Sequence, residues 1–279
     1  MEQFFIIEAI GAALLGIVLG SFINALSFRY GTGVGLGGRS RCMHCRHTLK
    51  ALDLVPILSY LYLGGKCRYC GSKIALQYPL VEFAGGVLSL AAFILNPAIP
   101  AYALALLMWM TLLFAVVYDL RHLSLPIPAL WIVGTSGLFS TFVSCGASGF
   151  CAIAAPSALA LLAGPLVASP LLLFSAVSGG RLMGWGDGLL VIGLGWFVGI
   201  TAGFTALCFA FWSGAVVGLA LIGMSRLAAQ RKRRSKGHAS GKGAHGFTMV
   251  SEIPFAPFLL FGFAVVYFFR IDLFSILLV

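Results

Sequence analysis

Between Asp187 and Ser225 the chain runs for 39 residues with almost no polar interruption. One straight helix of that length would be about 58 Å long, while the hydrocarbon core of a bilayer is about 30 Å thick. A water-soluble domain has no place for such a stretch, and a single membrane crossing is too short for it. It is therefore expected to cross twice, folding back near Gly199–Gly203 where glycine permits a sharp turn. Further apolar runs lie at 4–26, 79–95, 101–118, 127–143, 152–177 and from 258 towards the C-terminus. Only 9% of the 279 residues are charged, so little of the surface is built for water. The fold expected is an all-α polytopic membrane protein of about eight transmembrane helices. The first run reads as a retained span: Glu2 stands where a signal peptide is positive, and no small-residue cleavage site follows.

The net charge of +10 would suit a nucleic-acid partner if it were spread over a soluble face, but it is not. Eight of the 18 basic residues fall between Arg29 and Lys73, and seven between Arg226 and Lys242. Loops rich in Lys and Arg stay in the cytoplasm. Nucleic acid is thus excluded as the expected partner, and membrane lipid with its anionic headgroups is retained. The two basic segments share one side only if an even number of spans separates them, which the split at Gly199–Gly203 supplies. Both termini then face outward, and Arg270 is the one basic residue that fits this arrangement poorly. The organisation expected is a first helix at 1–28, a cytoplasmic module at 29–78, and a membrane domain at 79–279 carrying a basic loop at 226–251. The glycine-rich stretch at 30–41 resembles a phosphate cradle only superficially, since no strand–turn–helix surrounds it.

Two Cys-x-x-Cys pairs, Cys42/Cys45 and Cys67/Cys70, lie in that module. Each such turn aims two thiolates at one point, and two turns complete the tetrahedron that zinc accepts. Disulfides are the alternative, which a reducing cytoplasm disfavours. His44 and His47 are neighbours that could substitute as ligands. A module of this size with little apolar content is expected to need its metal to fold. Cys145, Cys151 and Cys208 read as small packing residues in or near apolar segments.

Ionisable residues at membrane depth are functional candidates. Of the eight acids, Asp119 and Asp187 stand out. Counting spans puts Asp119 at the cytoplasmic end of the third and Asp187 at the cytoplasmic start of the sixth. Two carboxylates close together in a poorly solvated site share one proton, so one serves as a base towards water and the other as an acid. The glycines of Gly184–Asp187 leave room for a backbone to approach. The alternative is a pair of interfacial caps: Asp187 would suit a helix N-terminus, while Asp119, at a C-terminus, would need Arg121 or His122 as a partner.

These residues resemble those of the prepilin peptidases, membrane aspartic proteases that process type IV pilins and pseudopilins. The likeness runs through GSFINALSFR (20–29), the two cysteine pairs, QYPLVE (77–82), YDLRHLSLP (118–126), GWGD (184–187) and EIPFAPFL (252–259). It implies that Asp119 and Asp187 cleave a basic leader after a glycine on the cytoplasmic side of a bacterial inner membrane. It further implies N-methylation of the new N-terminus from S-adenosylmethionine, an activity associated with the tetracysteine loop, although no motif marks a methyl-donor pocket. Two positions depart from the family pattern: Ile127, where an acid is frequent, and Leu189, where a lysine is common. A presenilin-like or signal-peptide-peptidase-like protease shares Tyr-Asp and Gly-x-Gly-Asp, but its Pro-Ala-Leu should follow the second aspartate. Here Pro128–Leu130 precedes it. The non-enzyme alternative is an ion-coupled transporter or assembly scaffold, whose site would be expected near the midplane within internal repeats.

Overall fold

A computed structural model describes residues 2–32, 37–145, 151–181, 183–235 and 254–274. The helices are α1 (Glu2–Arg29), the short α2 (Leu58–Tyr62), α3 (Gln77–Leu95), α4 (Ile99–His122), α5 (Ile127–Ser140), α6 (Ala158–Ser178), α7 (Trp185–Val198), α8 (Ile200–Ser235) and α9 (Ala256–Phe269). Five of them are long and apolar enough to cross a membrane, and α5, α7 and α9 are shorter apolar helices. Together these make the eight expected. The 39-residue run breaks where anticipated: α7 stops at Val198, Gly199 adopts φ +88, and α8 begins at Ile200.

Three expectations are corrected. The run at 127–143 does not end as a helix, because α5 stops at Ser140 and a two-stranded hairpin follows, β1 (Val143–Cys145) paired antiparallel with β2 (Cys151–Ile153). Cys145 and Cys151 are accordingly not packing residues; they are joined in a disulfide. Nor is the basic segment at 226–251 a loop from its start, since 226–235 continue α8 as helix. Residues 236–251 and Glu252 lie outside the described residues, as does part of the glycine-rich 30–41 stretch.

The core gathers on α4, whose Met108, Trp109 and Leu112 are buried and which lies against α1, α3, α5 and α9. In lipid, apolar side chains gain nothing by leaving one apolar solvent for another, so helices associate through close packing and internal polar bonds. The α1–α3 pair shows both. A Cβ on Gly20 would stand 2.8 Å from Glu82 Cα, so the two backbones touch only because that atom is missing. Two turns further along, Ser89 donates to Ala12 O at 2.6 Å and shares a 2.8 Å bond with Tyr102, linking three helices.

Helix α6 contains Pro165 and Pro170, each of which removes an N–H and leaves the carbonyl four residues earlier without its helical partner. Hydrocarbon cannot supply a substitute donor, so the protein must. Trp196 Nε1 of α7 donates to Leu161 O at 2.7 Å, and Ser169 Oγ donates to Leu166 O at 2.7 Å. Trp196 therefore fastens α7 to α6 at the carbonyl that Pro165 freed. Replacing Trp196 by Phe is expected to destabilise the detergent-solubilised protein by roughly 1 kcal/mol. Adding Pro165→Ala should return most of that loss by restoring the helical donor, as read by equilibrium unfolding of the single and double variants.

Candidate active site and metal-binding module

The module between α1 and α3 is built from two matching knuckles. In the first, Cys42 N donates to His47 O at 3.0 Å and Arg46 N to Cys42 O at 2.9 Å. In the second, Cys67 N donates to Ser72 O at 2.8 Å and Gly71 N to Cys67 O at 2.9 Å. Both turns close through a left-handed residue, Arg46 (φ 58) and Gly71 (φ 69). The result brings together the four cysteines singled out in the sequence, with all four sulfurs within 4.8 Å of one another.

Electrostatics within the cluster favour a cation. Backbone hydrogen bonds from Cys45 and His44 bring the Cys42 thiol down to about 6, and bonds from Ser72 lower Cys70. Cys45 moves the other way, to about 11: the His47 backbone supports its thiolate, but desolvation and the neighbouring Cys42 and Cys70 outweigh that support. Four thiols this close cannot all ionise unless a positive charge stands among them, so the donor set fits a metal such as zinc. His47 stands outside the four-sulfur group, its ring tilted by 32° against Tyr69 with 3.7 Å between centroids. Tyr69 Oη and Lys50 N both donate to Asp53 Oδ2 at 3.1 Å, and Arg68 pairs with Asp53 Oδ1 at 2.8 Å. Burial alone would raise the Asp53 carboxyl, yet these bonds and the Arg68 charge hold it below its ordinary value.

The module is latched to the membrane helices by a residue that sequence reasoning passed over. Glu82 on α3 is buried and accepts from Ile57 N at 2.7 Å, where the chain turns through φ +60, a strained conformation for a β-branched residue. The acid had been visible within QYPLVE, but its partner 25 positions earlier in an irregular loop had not.

Asp119 lies one turn from the end of α4 and is only 6% exposed. Its carboxylate accepts from Ala256 N at 3.3 Å, the first amide of α9. The cations beside it in sequence turn elsewhere: Arg121 donates to Gln77 at 2.9 Å and lies 3.3 Å over the Phe28 ring, while His122 stacks on Tyr118. Among the described residues Asp119 has no ion-pair partner.

Asp187 occupies the first turn of α7. Gly179 and Gly180 turn the chain out of α6 at positive φ, and Ser175 Oγ donates to Met183 O at 2.7 Å to hold the approach. At Gly186 a Cβ would meet Leu125 at 3.2 Å, so the start of α7 rests on the segment that follows Asp119. The start of α7, which carries Asp187, is thereby brought against the chain six residues beyond Asp119. Helices α5, α7 and α9 all begin around these two residues. Each has 14 residues, spanning about 21 Å, some 9 Å short of a hydrocarbon layer.

A profile described as the Bacterial Peptidase A24 N-terminal domain matches residues 14–95. The chain is 32% identical to a prepilin leader peptidase/N-methyltransferase of Burkholderia pseudomallei, over 92% of this chain and 84% of that one. It is 35% identical to the protein of that name from Aeromonas hydrophila, over 66% and 62% of the two lengths. With the one from Stutzerimonas stutzeri it shares 30% identity over 77% and 81%. The chain belongs to the prepilin leader peptidase/N-methyltransferase family. No solved structure matches it. In this family member the profile covers the second half of α1, the cysteine module and α3, so the latch at Glu82 and the tetrathiol cluster fall within the matched region.

Purified protein is expected to hold about one metal ion per chain. Cys67→Ser, which removes the most buried of the four sulfurs, should bring metal content measured by plasma mass spectrometry close to zero, and retention of the ion would contradict the four-sulfur site.

Proposed function

We propose that the protein is an aspartic endopeptidase of a bacterial inner membrane that removes the leader from type IV prepilins or pseudopilins on the cytoplasmic side. The observation that carries this reading is the meeting of two helix N-termini, those of α7 and α9, with two acids that have no ion-pair partner among the described residues. Asp119 receives a backbone N–H at the positive end of α9, which supports its charged form. We assign it as the base that takes a proton from water, with Asp187 as the acid. The hydroxide equivalent adds to the scissile carbonyl carbon while Asp187 gives its proton to the carbonyl oxygen. On collapse of the tetrahedral species the C–N bond breaks: the proton held by Asp119 passes to the leaving amine, and one hydroxyl returns its proton to Asp187 as the C=O bond re-forms.

The short helices bear on the substrate as well. Helices α5, α7 and α9 are each too short to fill the hydrocarbon layer, and α7 and α9 start at the acids. A substrate reaches them as an extended segment, and Gly184 and Gly186 leave its backbone room. Cys42, Cys45, Cys67 and Cys70 would hold zinc, whose charge would be structural. N-methylation of the new N-terminus from S-adenosylmethionine accompanies cleavage, as the names of the relatives suggest. The cavity of about 320 Å³ lined by Asn96, Tyr267 and Asp272 stands at the far ends of α3, α7 and α9, away from both the aspartates and the cysteines.

Asp119→Asn and Asp187→Asn should each lower the rate of leader removal by at least about a thousandfold, while membrane insertion and metal content stay as in the parent protein. The readout is mass spectrometry of a prepilin incubated with each purified variant. Cleavage near the parental rate in either one would refute the pair.

A further inference from the structure

We propose that Cys145 and Cys151 are an oxidative modification site on the outer face, closed by a thiol–disulfide oxidoreductase of the exoplasmic compartment. The two residues are directly opposed partners of an antiparallel hairpin, with Cα atoms 4.0 Å apart, and their sulfurs are bonded. The hairpin leaves the far end of α5, whose other end begins at the aspartates, and leads into α6. From the cysteine module the chain crosses along α3, returns along α4 and crosses again along α5. Three crossings place the hairpin on the side opposite the four free thiols.

One molecule thus carries two sets of cysteines with opposite fates. Four sulfurs stand within 4.8 Å of one another and remain thiols, whereas a pair on the other face is joined. Proximity does not separate the two sets, since Cys42 and Cys70 lie only 3.9 Å apart. Compartment does: thiols persist in a reducing cytoplasm and pair in an oxidising exterior. The accumulation of basic residues on the cysteine-module side indicates the same orientation by an independent route. Closing the bond removes two protons and two electrons from the two thiols. The electrons pass through a mixed disulfide to the disulfide of the oxidoreductase, which leaves as a dithiol. The hairpin is open to such a partner: Cys145, Ser144 and Ala152 are exposed and Ile153 is 78% exposed.

The bond also has a mechanical place. Helices α5 and α6 both pack on α7, and the disulfide ties their outer ends together around it. The clamp does not depend on what the aspartates do.

The test uses the full-length protein in right-side-out membrane vesicles. Free thiols are first blocked with permeant N-ethylmaleimide, the vesicles are reduced with a membrane-impermeant phosphine, and a heavier impermeant maleimide is then added before peptide mass spectrometry. The heavy label is expected on Cys145 and Cys151 alone, and it should vanish when protein is made in a host lacking its exoplasmic thiol oxidoreductase. Light label on both residues in the normal host, or heavy label appearing only after the vesicles are opened, would overturn the proposal. So would an unchanged heavy label in the oxidoreductase-deficient host.

Discussion

A carboxylate at the edge of hydrocarbon needs something to hold it there, and in this protein helix N-termini do so. Unbonded amides at the start of a helix carry partial positive charge and need acceptors. Lipid provides none, so the amides and the acids answer each other's need. Ala256 N–H at Asp119 is the clearest instance, and Asp187 in the first turn of α7 is the second. The rest of the membrane domain serves to bring those helix ends to one place. Pro165 in α6 frees a carbonyl that ties it to α7, and the left-handed turn at Gly179–Gly180 points the start of α7 towards the end of α4.

The cysteine module follows the same rule in water. Like charges are crowded until a cation is required, and the surrounding fold then secures the cluster from outside. The Asp53–Arg68–Tyr69 group braces one knuckle against the connecting loop, and Glu82 anchors that loop at the strained Ile57. Because Asp53 is held below its ordinary value, its contribution is present above the unfolded carboxylate range and is lost as pH falls through the lower folded value.

Much of this architecture was legible in the residues. Long apolar runs have few alternatives to crossing a bilayer, and a run of 39 residues cannot cross once, so the break at Gly199 followed from length alone. The four cysteines announced themselves by spacing. Asp119 and Asp187 were placed at one level by counting spans. What stayed hidden depended on contacts between segments of unlike pattern. Cys145 and Cys151 sit beside apolar residues that extended the neighbouring runs on paper, so the short hairpin was masked and the pair looked like packing. Arg121 seemed available to Asp119 until Gln77 and Phe28 proved to hold it. A backbone amide such as that of Ala256 leaves no trace in composition or motif.

The account stands on Asp119 and Asp187 acting as one unit, and a double-variant cycle tests this most directly. Residual rates of leader removal would be measured for Asp119→Asn, Asp187→Asn and the combined variant under single-turnover conditions. If the pair shares one proton and one task, the combined variant is no slower than the slower single, because the first substitution already removes the mechanism. Losses that multiply across the two positions would show two independent roles and contradict the account.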